Sequence, residues 1–234
     1  MQPTVFPWIG YFDLIDYVDK FIFLDTVQFS RRSWQSRNKL KVNDQEYMFT
    51  IPTKKENSRD HTYIKDTQIT YDHFDFTIRL YNLLIHNYKK ASCFDTVMTE
   101  IEPIIMKKVD SLANYNINFI KHISLLLGFD TEFEKASSLK NITGFKADLI
   151  LNICNHQSCK EYISPLGSKN YLNTHIKDFS QKNILVKYQY YNHPQYKQLG
   201  NDFIPYLGVL DLLFNNGIEN SKSIIKSGRN YGNN

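Results

Sequence analysis

The sequence predicts an α/β fold in a single domain, with an α/β N-terminal half and a helical middle section. Three observations carry this expectation. In the first 25 residues a proline-bracketed loop, an amphipathic run and a short apolar run follow one another, the order of an α/β unit. Between about residues 74 and 127, apolar side chains recur every three or four positions, the stripe of amphipathic helices. Short apolar or alternating stretches after residue 128 read as further strands. With 234 residues, 42% hydrophobic and 15% aromatic, the chain has enough apolar surface for a substantial core.

Each element has its own local cause. Gly10 to Val18 spaces Phe12, Leu14, Ile15 and Val18 for a helix, with Asp13, Asp16 and Asp19 interleaved and Pro7 near its start, where a missing N–H costs least. Lys20 to Asp25 reads as a buried strand ending at a carboxylate. Lys39–Val42 and Glu46–Ile51 form a hairpin across Asn43-Asp44, and Pro52 ends it. Lys54 to His61 is a polar loop, and Tyr63 to Thr70 reads as a strand. Three helices follow: one carrying Phe74 to Tyr88, one from Val97 to Leu112, and one capped by Asn116 and stopped at Gly128. Phe129 to Phe133 is a strand, Thr143 caps a helix through Ile153, and Glu161–Ser164, Lys169–Leu172 and Ile184–Tyr190 read as strand, helix and strand. Phe203 to Phe214 is helical and closed by Asn215-Asn216-Gly217. Residues 1–217 are thus expected as one domain and 218–234 as a polar, flexible tail.

Composition narrows the function classes. A net charge of +4, from 28 basic and 24 acidic side chains, is too mild to indicate a nucleic-acid partner. Three cysteines are too few for a disulfide scaffold and suit a reducing cytoplasm. No signal peptide is evident, and no window approaches the roughly 20 apolar residues of a membrane span, so a cytoplasmic protein without membrane insertion is expected. The sixteen tyrosines and sixteen phenylalanines serve first as core and half-buried strand residues. A tyrosine-rich surface also suits sugars and nucleobases, because it joins an apolar face to a polar tip.

The standard chemical signatures are absent. Cys154, His156 and Cys159 offer three ligands in six residues, but a structural zinc site wants four and no second pair exists, so no metal is expected. His73, His86 and His122 fall singly in helices. No phosphate-binding or dinucleotide-binding glycine motif occurs, nor a paired-histidine zinc motif. Polar density remains in two places. Asp25, Gln28, Arg31, Arg32, Arg37 and Asn38 follow a strand, where α/β sheets bind ligands and arginine meets phosphate or carboxylate; an exposed basic turn is the other reading. His193 to Gln198 leads to Asp211, an acid within an apolar helix, which either pairs structurally or meets a ligand.

Taken together these segments resemble a known family. Met1-Gln2-Pro3 through Gly10-Tyr11-Phe12, Asp25-Thr26-Val27-Gln28-Phe29, Trp34, Arg37-Asn38 and Thr50-Ile51-Pro52 resemble the WbqC-like family. So do Tyr162-Ile163-Ser164, Tyr196-Lys197-Gln198 and Asp211 to Gly217. The resemblance implies a role in making bacterial surface polysaccharide, particularly O-antigen. It carries polar motif positions onto Gln2, Asp25, Gln28, Arg37, Asn38, Tyr196, Gln198 and Asp211. Two departures stand out. Family members usually carry a short apolar strand ahead of the Gln-Pro motif, at which this sequence begins, and the family's Asn-Arg-Asn is Ser36-Arg37-Asn38 here.

A looser resemblance concerns Trp8-Ile9-Gly10-Tyr11, which is similar in place and context to the His-Ile-Gly-His motif of nucleotidylyltransferases. It implies a Rossmann-like or nucleotidylyltransferase-like N-terminal half, with Gly10 and Tyr11 near the ligand. Both histidines are replaced, so that family's nucleotidyl transfer is not expected. The combined expectation is a transferase acting on a nucleotide-activated sugar, for instance acylating or aminoacylating an amino sugar. Asp25 and Asp211 are its candidate catalytic carboxylates, and Gln2, Gly10, Tyr11, Gln28, Arg37, Asn38, Tyr196 and Gln198 its candidate substrate contacts. The alternative is a non-catalytic sugar-nucleotide-binding or scaffold protein that contacts other enzymes of the pathway. No residue pattern names a cofactor.

Overall fold

A computed structural model describes residues 1–54 and 62–233, so nearly all of the predicted Lys54–His61 loop lies outside the described residues. The fold is mixed α/β, with three small sheets and eight α-helices among the described residues. Helix α1 (Ile9–Tyr17) starts just after Pro7-Trp8 and is buried on all sides from Ile9 to Ile15. It leads into β1 (Lys20–Phe23), as the sequence predicts. The chain then makes the hairpin of β2 (Arg37–Val42) and β3 (Gln45–Thr50). Asn43 and Asp44 turn it with φ of 49° and 61°, the paired left-handed conformation that tight hairpins need and that Asn and Asp tolerate.

The helical middle holds α2 (Phe76–Tyr88), α3 (Phe94–Ile105) and α4 (Leu112–Leu126). Asp75 caps α2 by accepting from Thr77 N, and Ser111 caps α4 by accepting from Asn114 N. After β4 (Glu132–Lys135) come α5 (Ala147–His156), β5 (Glu161–Pro165), α6 (Lys169–Asn173), α7 (Ile176–Gln181) and β6 (Leu185–Gln189). Helix α8 (Val209–Ser227) and β7 (Tyr231–Asn233) close the chain. β1 pairs with β4 in parallel, with Phe21 opposite Phe133. β5 and β6 are also parallel, and β7 adds to β6 antiparallel. The two parallel pairs lie in separate sheets, so the mixed α/β class holds, while the strand pairing does not by itself show the Rossmann-like or nucleotidylyltransferase-like N-terminal half that was expected. The largest core joins α1, the middle helices and the apolar start of α8, and a second one lies under α5, α6 and α7.

Several boundaries differ from the sequence reading, each for a physical reason. Tyr63 to Thr70 is not a strand: Asp66 N donates to Tyr63 O and Thr67 N to Ile64 O, winding Ile64–Asp66 into a 3-10 turn and leaving isolated bridges at Tyr63, Gln68 and Ile69; Thr67 Oγ1 reinforces the turn by donating to Tyr63 O at 3.0 Å. The helix expected over 97–112 starts at Phe94 and ends at Ile105. Asn116 does not cap α4; it is buried inside it, its amide donating to Pro3 O at 3.2 Å and Gln35 O at 2.8 Å. Thr143 is not the cap of α5, which starts after Lys146. The strand expected at 129–133 forms at 132–135, and the helix expected from Phe203 begins at Val209.

The segment expected as a polar tail is helix and strand. Gly217, at φ 74° and ψ 168°, does interrupt α8, but the chain turns there and resumes as helix to Ser227. Beyond it, Arg229 Nε donates to Asp13 Oδ1 at 2.7 Å, and the Tyr231 hydroxyl donates to Asp13 Oδ2 at 2.7 Å. Gln189 Nε2 donates to Asp13 Oδ2 at 2.9 Å, and Arg229 and Lys226 both pair with Asp16. A carboxylate with no solvent exposure needs this full set of donors. Burial opposes the charge of Asp16, but the bonds from Arg229 and Lys226 hold its carboxyl below the usual range. Arg229→Ala, which leaves Asp13 short of its cation, is expected to lower unfolding free energy by roughly 3 kcal/mol. Denaturant unfolding of wild type and variant measures it, and a loss under about 0.5 kcal/mol would mean that the network does not anchor the C-terminal segment.

Candidate functional site

The largest depression among those described opens beyond the carboxyl end of β1, with a cavity volume of about 770 Å3. One wall is Gln2 and the segment Leu24, Thr26, Val27 and Gln28. The segment carrying Tyr63 and Lys65 docks on it, with Ile64 N donating to Val27 O at 3.0 Å and Lys65 N to Asp25 O at 2.9 Å. The opposite wall is Ile142 to Lys146, the start of α5 at Leu149 and Ile150, and Tyr171 from α6. Gly144 takes φ +124°, a conformation that side chains rarely adopt, and Lys146 takes φ +49° immediately before α5. The turn brings the start of a ten-residue helix beside the cleft, where its dipole favours an anion; Asp148 N is already bonded to Phe145 O, and the Asp148 carboxylate in the first turn offsets part of that field.

The electrostatics point the same way. Lys65 and Lys146 are the ionisable side chains of the described lining apart from the tyrosines; no Asp, Glu or His joins them. Phe145, Tyr63 and Tyr171 supply aromatic surface, and Phe145 is 70% exposed. Cations, a helix start and aromatic faces around one cleft can hold a phosphorylated or carboxylated ligand with a ring attached.

The predicted site residues divide among three places. Gln2 and Gln28 line the large cleft; Gln2 is exposed, and its Oε1 accepts from Gln35 Nε2 at 2.9 Å. Tyr11 and Asn38 line a neighbouring pocket of about 440 Å3 with Trp8. There the Tyr11 hydroxyl donates to Gln2 O at 2.9 Å, and burial pushes its pKa far up. Asn38 Nδ2 donates to Val5 O at 2.7 Å and Phe6 O at 2.9 Å. Gly10 lies beneath the Trp8 ring, where a Cβ would come within 2.2 Å of it, and its carbonyl accepts from Gln189 Nε2 at 2.8 Å. Arg37 begins β2 opposite Thr50 and is not among the cleft residues, and Arg31 and Arg32 are exposed on a turn.

The third place is buried. Asp211 has no solvent exposure and lies with Tyr88, Tyr196 and Gln198 beneath the turn formed by residues 198–204. Gln198 brackets Ile204, accepting from its N and donating to its O, each at 2.9 Å. Lys41 Nζ donates to Leu199 O and Asp202 O, both at 2.6 Å. The side chains of Tyr196, Tyr88 and Gln198 reach toward Asp211, yet no donor meets either of its carboxylate oxygens with good hydrogen-bond geometry among the described residues. Burial therefore prevails and pushes its pKa up to about 6.

Asp25 is likewise buried, and both its oxygens are engaged by Ser137, from N at 2.9 Å and Oγ at 2.5 Å. It holds the turn after β4 to the end of β1. The structure thus brings Gln2 and Gln28 together but leaves both candidate carboxylates outside the lining. The residues that the sequence reading missed are Tyr63, Lys65, Gly144, Phe145, Lys146 and Tyr171. The available signal was the Thr143-Gly144-Phe145-Lys146 turn ahead of an apolar helix.

Compared with known families, residues 2–223 match the WbqC-like protein family. The chain is 31% identical over 221 residues to the protein described as "Uncharacterized protein Rv1507c" of Mycobacterium tuberculosis, covering 94% of this chain and 93% of that protein. No solved structure matches it significantly. No helix of the described residues is long and apolar enough to cross a membrane.

The Asp211 cluster makes a pH prediction. A carboxyl whose folded pKa lies above its unfolded value binds its proton more tightly when folded. Stability therefore falls as pH rises from about 4 to about 6, by roughly 3 kcal/mol, and is level above that. Asp211→Asn removes this slope, so the difference in unfolding free energy between variant and wild type should swing toward the variant across that interval. A pH-independent difference between the two would show that the buried carboxyl titrates normally.

Proposed function

The chain belongs to the WbqC-like protein family, and from that premise we propose that it is a transferase of bacterial surface-polysaccharide biosynthesis, O-antigen in particular. Its substrate in this reading is a nucleotide-activated sugar, and its reaction adds an acyl or aminoacyl group to an amino sugar. The observation that carries the reading is the gathering of Lys65, Lys146, the α5 N-terminus and three aromatic side chains around one cleft. Two cations and a helix start suit a diphosphate; Tyr63, Phe145 and Tyr171 suit a ring stacked beside it. Gln2 and Gln28 are then hydrogen-bonding partners for the sugar. Gly10, Tyr11, Asn38, Tyr196 and Gln198 act by positioning the loops. The two parallel strand pairs read as halves of a divided Rossmann-like sheet, with the ligand beyond the carboxyl end of β1.

One observation favours a second reading. No acid or histidine is among the described lining; Asp25 is engaged by Ser137, and Asp211 is buried away from the cleft. A protein that binds a sugar nucleotide and presents it to another enzyme of the pathway needs no general base of its own. Calorimetric titration with UDP-, GDP- and dTDP-linked sugars, followed by product analysis with an acyl donor, separates the two. Selective binding that weakens at least tenfold in Lys146→Ala and Lys65→Ala, with product formed, is the expected result. Binding without product under any donor selects the second reading. Absence of binding by every nucleotide sugar, or binding untouched in both variants, contradicts the site.

A further inference from the structure

We propose that the 440 Å3 pocket on the other side of the N-terminal loop binds a saccharide ring against Trp8, Trp34 and Tyr206. Its volume lies within the usual range for a small-molecule site, and its aromatic walls are held in place. The Trp8 ring lies over Gly10, stacks on His193 at 6.0 Å and meets the edge of Tyr191 at 5.4 Å. Tyr206 stands 5.5 Å from Trp8 in a left-handed conformation, φ 60°, which a bulky residue adopts only at a cost. Its N–H is held by His193 Nε2 at 3.1 Å. The floor is pinned as well: Gly208 N donates to Lys39 O at 3.0 Å and Val209 N to Pro7 O at 2.9 Å. Against this fixed frame, Trp34 is 51% exposed and Tyr206 54% exposed, large apolar faces that folding alone does not cover.

The polar groups select the ligand. Lys39, paired with Glu46, and the Met1 amino group are the ionisable groups of the lining beside the tyrosines, and no carboxylate lines it to hold a cationic guest. Asn38 and the Tyr11 hydroxyl are engaged on backbone carbonyls and are not free to read the edge of a nucleobase. Neither indole N–H meets a protein acceptor among the described residues. The exposed Trp34 face accepts the weakly positive C–H face of a pyranose, with the edge of Trp8 beside it since Gly10 and His193 cover the Trp8 faces, and indole N–H groups donate to its hydroxyls. This inference rests on the aromatic lining and not on the proposed function. The two sites share no side chain in their linings, so either can fail alone.

Both tryptophans of the chain line this pocket, so intrinsic tryptophan fluorescence reports on it directly. The protein is titrated with methyl glycosides of glucose, galactose, N-acetylglucosamine and rhamnose, with cellobiose, and with uridine as the nucleobase control. Ligand-observed NMR repeats each titration on Trp34→Ala, which lacks one fluorophore, and on Tyr206→Ala. A saturable change with at least one saccharide and none with uridine is expected, with affinity at least tenfold weaker in Trp34→Ala. Trp34 is half exposed, so that variant should keep the wild-type melting temperature, and it keeps the test valid if Tyr206→Ala fails to fold. No saturable change with any saccharide, a response confined to uridine, or an unaltered affinity in Trp34→Ala overturns the proposal.

Discussion

One buried amide organises this protein. Asn38, on β2, donates from a single nitrogen to the carbonyls of Val5 and Phe6 while its own oxygen accepts from Lys39 N. Those carbonyls lie in a loop that belongs to no sheet, and a buried carbonyl without a donor is costly. Phe6 moreover takes φ 40°, a conformation that needs outside support, and Gly208 passes so close that a Cβ there would lie 2.7 Å from Phe6 O. Asn116, from α4, repeats the device by binding Pro3 O and Gln35 O. Two side-chain amides thus supplement the few backbone bonds of the first eight residues, which join Met1 to Ile22 and Leu24, Val5 to Trp34 and Pro7 to Val209.

Both candidate binding surfaces follow from that anchoring. The held loop places Gln2 on the large cleft and Trp8 in the aromatic pocket, and it sets α1 so that Asp13 reaches Arg229 and Tyr231. Cation and helix dipole dominate one surface, and ring faces dominate the other. Asp25 and Asp211 line neither surface: one is fastened to Ser137, and the other is buried beside Tyr88 and Tyr196 with neither carboxylate oxygen hydrogen-bonded among the described residues.

Local physics was legible in the sequence, and long-range pairing was not. The Asn43-Asp44 hairpin, the α2 stripe and the Gly10-to-Val18 helix depend on neighbours within a few residues, and each formed where its pattern said. Asn38 and Gln2 stood out as polar residues in unusual company; the fold puts Gln2 on the lining of the large cleft and engages the Asn38 amide on backbone carbonyls. Asp13 read only as one of three acids interleaved with the first apolar run, because its partners lie more than 170 residues away. The Tyr63–Thr70 segment has a strand's composition, yet two backbone bonds, Asp66 N to Tyr63 O and Thr67 N to Ile64 O, wind its middle into a turn that the Thr67 hydroxyl reinforces. The cationic side of the cleft escaped notice because Lys65 and Lys146 are far apart in sequence and ordinary in type. Only folding makes them neighbours of one cavity.

The central claim is that the cleft between the N-terminal loop and α5 is where a sugar nucleotide binds. Backbone amide shift mapping with UDP-N-acetylglucosamine tests it most directly, because it locates the ligand without assuming a reaction. The account predicts that the largest perturbations fall on Gln2, Gln28, Lys65 and the amides from Gly144 to Ala147, with Asp211 and its neighbours unmoved. Saturable perturbations centred on the Asp211 cluster, or none in the cleft at saturating ligand, would contradict it.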